Sequence, residues 1–283
     1  MTIAVTIRTG SAVIFAADSK VTTKGISGFD ANSKLIWIDQ TYDNAYKIAH
    51  DRERRLMAMV AGHGVIGRSQ ATDFIRRYLF PIVTDLPQQD AEIGVLAAEI
   101  TNEVKVYWET TKVPKNEWPA PTLVIATATP DGHDSRVWLG SYNLPPNAPP
   151  DTGATYGFEE ILKSPGVRLE GSYGEVYSLL YGMDWNILSD VLRILGVKGT
   201  DFFDAVKKSS VVRAVDKINF DSMPTQDAIN LASFLANVQI QMDRFLPGEA
   251  ACGGAVDVMV LELVPEPSII PYLKTLHYEP RSG

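Results

Sequence analysis

At 283 residues, 45% hydrophobic and 21% charged, the chain has the composition of an ordinary soluble globular protein and a length that permits one large α/β domain or two smaller ones. Its 34 acidic residues against 26 basic give a net charge of −8, which disfavours non-specific nucleic-acid binding, since that needs a basic surface. A single cysteine cannot form an internal disulfide, no apolar run approaches the ~18 residues of a membrane span, and no basic-then-apolar leader opens the chain, so the expected setting is cytoplasmic with no membrane contact.

The chain opens with an apolar strand from Thr2 to Arg8, turns through Thr9-Gly10-Ser11 and returns as Ala12-Val13-Ile14-Phe15-Ala16-Ala17, closed by Asp18. A loop is predicted over 22–28 and an extended segment over 34–38. Residues 54–61 read as a buried strand ended by Gly62-His63-Gly64. Two helices follow, over 65–80 and 90–109, the second with Ile93, Leu96, Ala97, Ile100 and Val104 at helical spacing. Strands at 122–128 and 136–141 pair through Pro130-Asp131-Gly132, and the Pro/Asn/Gly-rich stretch 143–153 is loop. A helix begins after Gly171-Ser172, carrying Val176, Leu179 and Leu180. Two more occupy 185–195 and 225–244 before a closing strand at 255–263 and a proline-punctuated tail. This order predicts an α+β fold, a four-layer αββα sandwich with two sheets face to face and helices outside.

Thr2 carries the chemistry. Removal of Met1 would leave it as the amino terminus, where one residue supplies both a nucleophilic hydroxyl and a nearby base, its own α-amine, with a reference pKa of about 8. The hairpin, whose strands lie about 5 Å apart, brings the Asp18 carboxylate close to that terminus.

These residues resemble the proteasome β-type family of N-terminal threonine hydrolases, including bacterial homologues outside the standard core particle. The family opens with threonine and an apolar strand and continues VVLAAD-R-VT or close to it; this chain reads AVIFAADSKVT, ending at Thr22. The family's lysine opening an apolar strand, Ala-Gly step, Gly-Ser step and late Asp-x-x-Ser-Gly-Gly are matched in order by Lys47-Ile48, Ala61-Gly62, Gly171-Ser172 and Glu249-Ala250-Ala251-Cys252-Gly253-Gly254. The departures are specific. Glu249 and Cys252 replace the late aspartate and serine, and the lysine comes late. Lys34 sits at the more usual distance from Thr2, whereas Lys47 precedes Gly62 at nearly the family spacing and is the choice here.

The resemblance implies one N-terminal nucleophile hydrolase domain spanning 1–283, with insertions at 24–46 and 143–168. It implies a cofactor-independent threonine peptidase acting on peptide or unfolded protein within a self-assembled homo-oligomer. Thr2 would attack the amide carbonyl and Lys47 would hold positive charge beside its hydroxyl. Asp18 would fix Lys47, and the Gly62 N–H would stabilise the oxyanion. Ser172, Glu249 and Cys252 would support the α-amine, while Val60 and Val21 would line the substrate pocket.

Other readings stay open. Gly62-His63-Gly64-Val65-Ile66-Gly67 fits G-x-G-x-x-G after a strand, with Asp85 at the distance of a ribose-binding acid. Against a dinucleotide site, Phe80 to Asp85 is a short, proline-bearing stretch, a weak second strand. The Glu249 and Cys252 replacements suit a catalytically silent structural subunit. The four histidines are scattered without metal-ligand spacing, and no Walker motif occurs, so any ATP dependence would belong to a separate ATPase unfoldase.

Overall fold

The computed structural model describes residues 2–29, 35–43, 45–53, 55–62, 65–66, 69–79, 89–111, 121–128, 133–143, 155–182, 185–198, 201, 215–245, 252–263 and 268–273. The opening hairpin forms as the alternation of its β-branched residues demands. Strands β1 (Ile3–Arg8) and β2 (Ala12–Asp18) pair antiparallel from Ala4↔Ala17 to Arg8↔Val13, and the turn is closed by Thr9, whose N–H donates to the Ala12 carbonyl at 2.8 Å. Both strands are wholly buried, because they lie inside a five-stranded antiparallel sheet of order β12-β1-β2-β13-β14. Its other members are β12 (Gly166–Gly171), β13 (Val256–Glu262) and β14 (Ser268–Leu273). Pro271 is accommodated there because β14 is an edge strand.

A second five-stranded antiparallel sheet has the order β11-β10-β9-β6-β5. It comprises β5 (Ile48–Asp51), β6 (Leu56–Gly62), β9 (Pro121–Ala128), β10 (Ser135–Asn143) and β11 (Thr155–Ile161). Between the sheets, Ala4, Val13, Phe15, Met259 and Leu261 meet Met57, Met59, Val124, Ala126 and Val137. The alternate residues of the first sheet, Ile3, Val5, Ile7 and Ile14, face α5 (Thr225–Asp243) and α3 (Gly174–Tyr181) through Ala228, Ala232, Leu235, Val176 and Leu180. Those of the second, Ala58, Val60, Leu123, Ile125 and Trp138, face α2 (Gln89–Thr111) through Ile93, Leu96 and Ile100. The period-two alternation therefore divides each strand between two cores.

Among the described residues, strands outnumber helices throughout: the helices of eight or more residues are α2, α3, α4 (Trp185–Leu195) and α5, against fourteen strands. The chain is a mostly β fold of two antiparallel sheets with few helices, which corrects the four-layer αββα sandwich of the N-terminal nucleophile hydrolase type expected from the sequence. The physical reason lies in two segments read the wrong way. The helix expected over 65–80 is a two-stranded turn, β7 (Val65–Ile66) with β8 (Ser69–Gln70), then a single helical turn α1 (Ala71–Phe74) running into a π-turn at Ile75–Leu79. β-Branched Val65 and Ile66 suit the extended state. The loop expected over 22–28 is instead β3 (Val21–Phe29), paired with β4 (Leu35–Tyr42) through a register irregularity between Ile26 and Gly28. No described helix is long and apolar enough to cross a membrane.

Candidate active site

The start of β1 is fixed from both sides. Toward β2, the Ile3 N–H donates to Asp18 Oδ1 at 3.1 Å, so the side chain that ends β2 takes a backbone donor at the first residue of β1. Toward β12, the Ser172 N–H donates to the Thr2 carbonyl at 2.7 Å. Gly171, with φ +84°, makes that approach feasible: a Cβ there would lie 1.9 Å from the Thr2 carbonyl oxygen. Thr2 itself is buried, at 3% exposure.

Asp18 is fully buried and accepts three donors. Besides Ile3, Lys47 Nζ donates to Oδ1 at 2.8 Å and the Gly253 N–H to Oδ2 at 3.0 Å. Lys47 lies just before β5 and is buried at 4% exposure; its carbonyl accepts the Val60 N–H at 2.9 Å, and its ammonium also donates to the Lys20 carbonyl. Burial pushes the Asp18 carboxyl up from the ordinary carboxylate range, against Lys47 and the N–H donors of Gly253 and Ile3. Burial likewise pulls the Lys47 ammonium down, against the attraction of Asp18 and its hydrogen bond. Burial thus works against the charged form of each partner, and the contact between the two works for it.

Gly62 ends β6 opposite Pro121 with φ +72° and is exposed. Its neighbour Ala61 reaches the same corner, with its Cβ 3.8 Å from where a Gly171 Cβ would stand. Ser172 is half-buried and contributes the backbone N–H just described. Val60 is buried against the second sheet's outer core with Leu123 and Ile125, and Val21 opens β3 half-buried. Cys252 is buried in the first sheet's outer core; burial, with Asp18 and Asp243 nearby, pushes its thiol up, leaving it protonated. Glu249 and Lys34 lie outside the described residues, as do His63, Gly64 and Gly67 of the glycine motif and Asp85. No group of three or more potential metal ligands occurs among the described residues.

The structure thus joins the Ile3 N–H, one residue after Thr2, the Asp18 carboxylate, the Lys47 ammonium and the Gly253 N–H into one hydrogen-bonded cluster. It contains two groups that sequence reasoning did not single out. Asp243, last in α5, accepts the Cys252 N–H at 2.8 Å, and Gln239, one helical turn earlier, donates to Asp243 at 2.8 Å. Their i,i+4 spacing was the available signal.

No family model matches the chain, and no curated protein matches it. Among solved structures it is similar to Anbu (ancestral beta-subunit) from Yersinia bercovieri, at 15% identity and a TM-score of 0.48 over 96% of this chain and 88% of that one. It is also similar to an Anbu (Gly-1) mutant from Hyphomicrobium sp. strain MC1, at 12% identity and a TM-score of 0.44 over 98% of this chain and 90% of that one. The proteasome β-type family expected from the sequence is corrected accordingly: the structures found bear the name of a proteasome-like but distinct family, and no family model supports the assignment. The two likenesses, with TM-scores below 0.5, do not place this chain in a family.

Proposed function

We propose that this chain is a threonine-type amide hydrolase acting on peptide or unfolded protein through Thr2, once Met1 is removed. The observation that supports it is the buried Lys47–Asp18 pair, hydrogen-bonded to the residue that follows Thr2. The Thr2 hydroxyl attacks the amide carbonyl and its proton passes to the α-amine, directly or through water. The C–N bond breaks as that proton reaches the departing amine, leaving an acyl ester on Thr2. Water then adds to the ester and releases the acid. Lys47 supplies positive charge beside the hydroxyl and Asp18 fixes it. The Gly62 N–H, at an exposed strand end without a side chain, receives the oxyanion. Ser172, Glu249 and Cys252 support the α-amine, and Val21 lines the pocket, with Val60 packed in the core behind it. No cofactor enters this reaction. The working form is a cytoplasmic homo-oligomer of single-domain subunits spanning 1–283, with 24–46 and 143–168 as insertions and unfolding assigned to a separate ATPase.

The burial of Thr2 favours a second reading, a catalytically silent structural subunit. Intact mass after incubation with a peptide epoxyketone separates the two, because the stable ring that this electrophile forms needs the hydroxyl and free amine of one terminal residue. A Met-less chain carrying one adduct, absent in Thr2→Ala, is the expected result. Retention of Met1 with no adduct, or a Met-less chain without adduct, would refute the hydrolase and leave the silent subunit.

A further inference from the structure

Asp243 is out of place as a helix residue. A carboxylate at the last position of α5 faces the negative end of the helix dipole, and at 5% exposure it has left water as well. What it gains is a pair of donors. Its Oδ2 accepts the Cys252 N–H and its Oδ1 accepts from Gln239 Nε2, each at 2.8 Å. Gln239, 1% exposed, is anchored in turn by a hydrogen bond from the same nitrogen to Glu175 in the first turn of α3. The carboxylate is therefore oriented from the helix side and grips the backbone on the other.

The residue after Cys252 is Gly253, whose N–H donates to Asp18 Oδ2 and whose carbonyl accepts the Lys20 N–H at 3.1 Å. Bonds thus run without interruption from Gln239 and Asp243, through the Cys252–Gly253 backbone, to Asp18 and on to Lys47. We propose that Asp243 is a positioning residue for the Thr2 site, aiming the Gly253 N–H at Asp18 by holding Cys252, and so fixing the carboxylate that orients Lys47. This rests on the hydrolase reading above for its catalytic consequence, though not for its structural one.

The test uses the full chain with Met1 removed and two readouts. One is the rate of adduct formation with a peptide epoxyketone; the other is hydrogen exchange at the Gly253 amide. Asp243→Ala should lower the adduct rate about tenfold, as for one lost charge-assisted hydrogen bond, and speed Gly253 exchange by a similar factor. Asp243→Asn keeps an oxygen for the Cys252 N–H and should recover both to within about threefold of wild type. Gln239→Met removes the bond that orients Asp243, together with the one to Glu175, and leaves the Asp243–Cys252 bond in place; it should move both readouts by about threefold in the same direction. A merely structural Asp243 would lower the melting temperature and leave both readouts unchanged below it. Unchanged values in folded Asp243→Ala, or in Gln239→Met should Asp243→Ala not fold, would overturn the proposal. If the wild type forms no adduct while the variants still release the Gly253 amide, the positioning by Asp243 stands and the hydrolase reading falls.

Discussion

Gly171→Ala is the substitution that most directly tests how Thr2 is held. Gly171 sits at φ +84°, and an added Cβ would stand 1.9 Å from the Thr2 carbonyl oxygen. A carbon and an oxygen need about 3.3 Å, so the end of β1 and the end of β12 must part by about 1.4 Å. That separation breaks the 2.7 Å bond from the Ser172 N–H to Thr2 and leaves a buried carbonyl unmade. Left-handed backbone in alanine costs about 1–2 kcal/mol. The lost buried bond adds about 1–3 kcal/mol. The sum, about 2–5 kcal/mol, is a large share of the stability of an ordinary domain. Gly182→Ala is the matched control, because Gly182 has φ +74° with nothing within 4 Å of its Cβ site. It carries the backbone cost alone, about 1–2 kcal/mol. Urea unfolding of both variants reads the difference. Gly171→Ala should be the less stable by at least about 1 kcal/mol, and its Ser172 amide should exchange faster. Equal losses in the two variants would show that no close approach to Thr2 exists at this corner.

Lys47→Met leaves Asp18, fully buried, without its counter-ion, and should cost about 3–5 kcal/mol in urea unfolding; a loss under about 1 kcal/mol would mean the pair is not buried as described. His50 is held below the ordinary histidine value by burial and by Arg52 and Arg76. Its folded form binds the proton less readily than the unfolded chain does, so stability should be full above about pH 6.5 and fall as pH drops below it. His50→Gln should flatten that part of the pH–stability curve, and an unaltered slope would assign it to other groups. Cys252, 1% exposed with its thiol pushed up, should resist iodoacetamide in the folded chain at pH 8 and take one carbamidomethyl group in urea, read by intact mass; rapid labelling without denaturant would contradict its burial.

Much of the scaffold was legible because it rests on local alternation. The opening hairpin, β6, β9 with β10, α2 and α5 lie where the apolar periodicity puts them, since each buries a face that the pattern alone defines; α4 also forms where expected, though Ile187, Val191, Ile194 and Leu195 on it are exposed. The failures share a cause. Residues 65–70 carry β-branched side chains that form a short ribbon, and Val21–Phe29 becomes a strand only because a partner strand at Leu35–Tyr42 is there to pair with it. Pairing across a turn has no signature inside either segment. The Asp18–Lys47 contact spans 29 residues and was reachable only by resemblance, whereas Asp243 lay outside every motif considered. The i,i+4 spacing signals only its pairing with Gln239; its hold on Cys252 depends on the chain returning to the end of α5, which that spacing does not encode.

The energetics of Asp18 and Lys47 say something that neither residue says alone. Burying two charges costs several kcal/mol each, and replacing such a pair by apolar residues of similar volume is often neutral or stabilising. The sheet around them offers that option, because Ala16, Ala17, Val256 and Val258 already fill neighbouring positions with apolar side chains. Instead the fold commits three donors to one carboxylate and aims a lysine at it, with burial pushing each partner toward its neutral form. An arrangement that stability alone would not favour, set beside the first residues of the chain, is what chemistry at Thr2 would require. If Asp18→Leu with Lys47→Leu proves as stable as wild type in urea while epoxyketone reactivity vanishes, the pair is there for the reaction. If the double substitution unfolds the chain, the pair is a structural clasp, and the case for chemistry at Thr2 loses its main support.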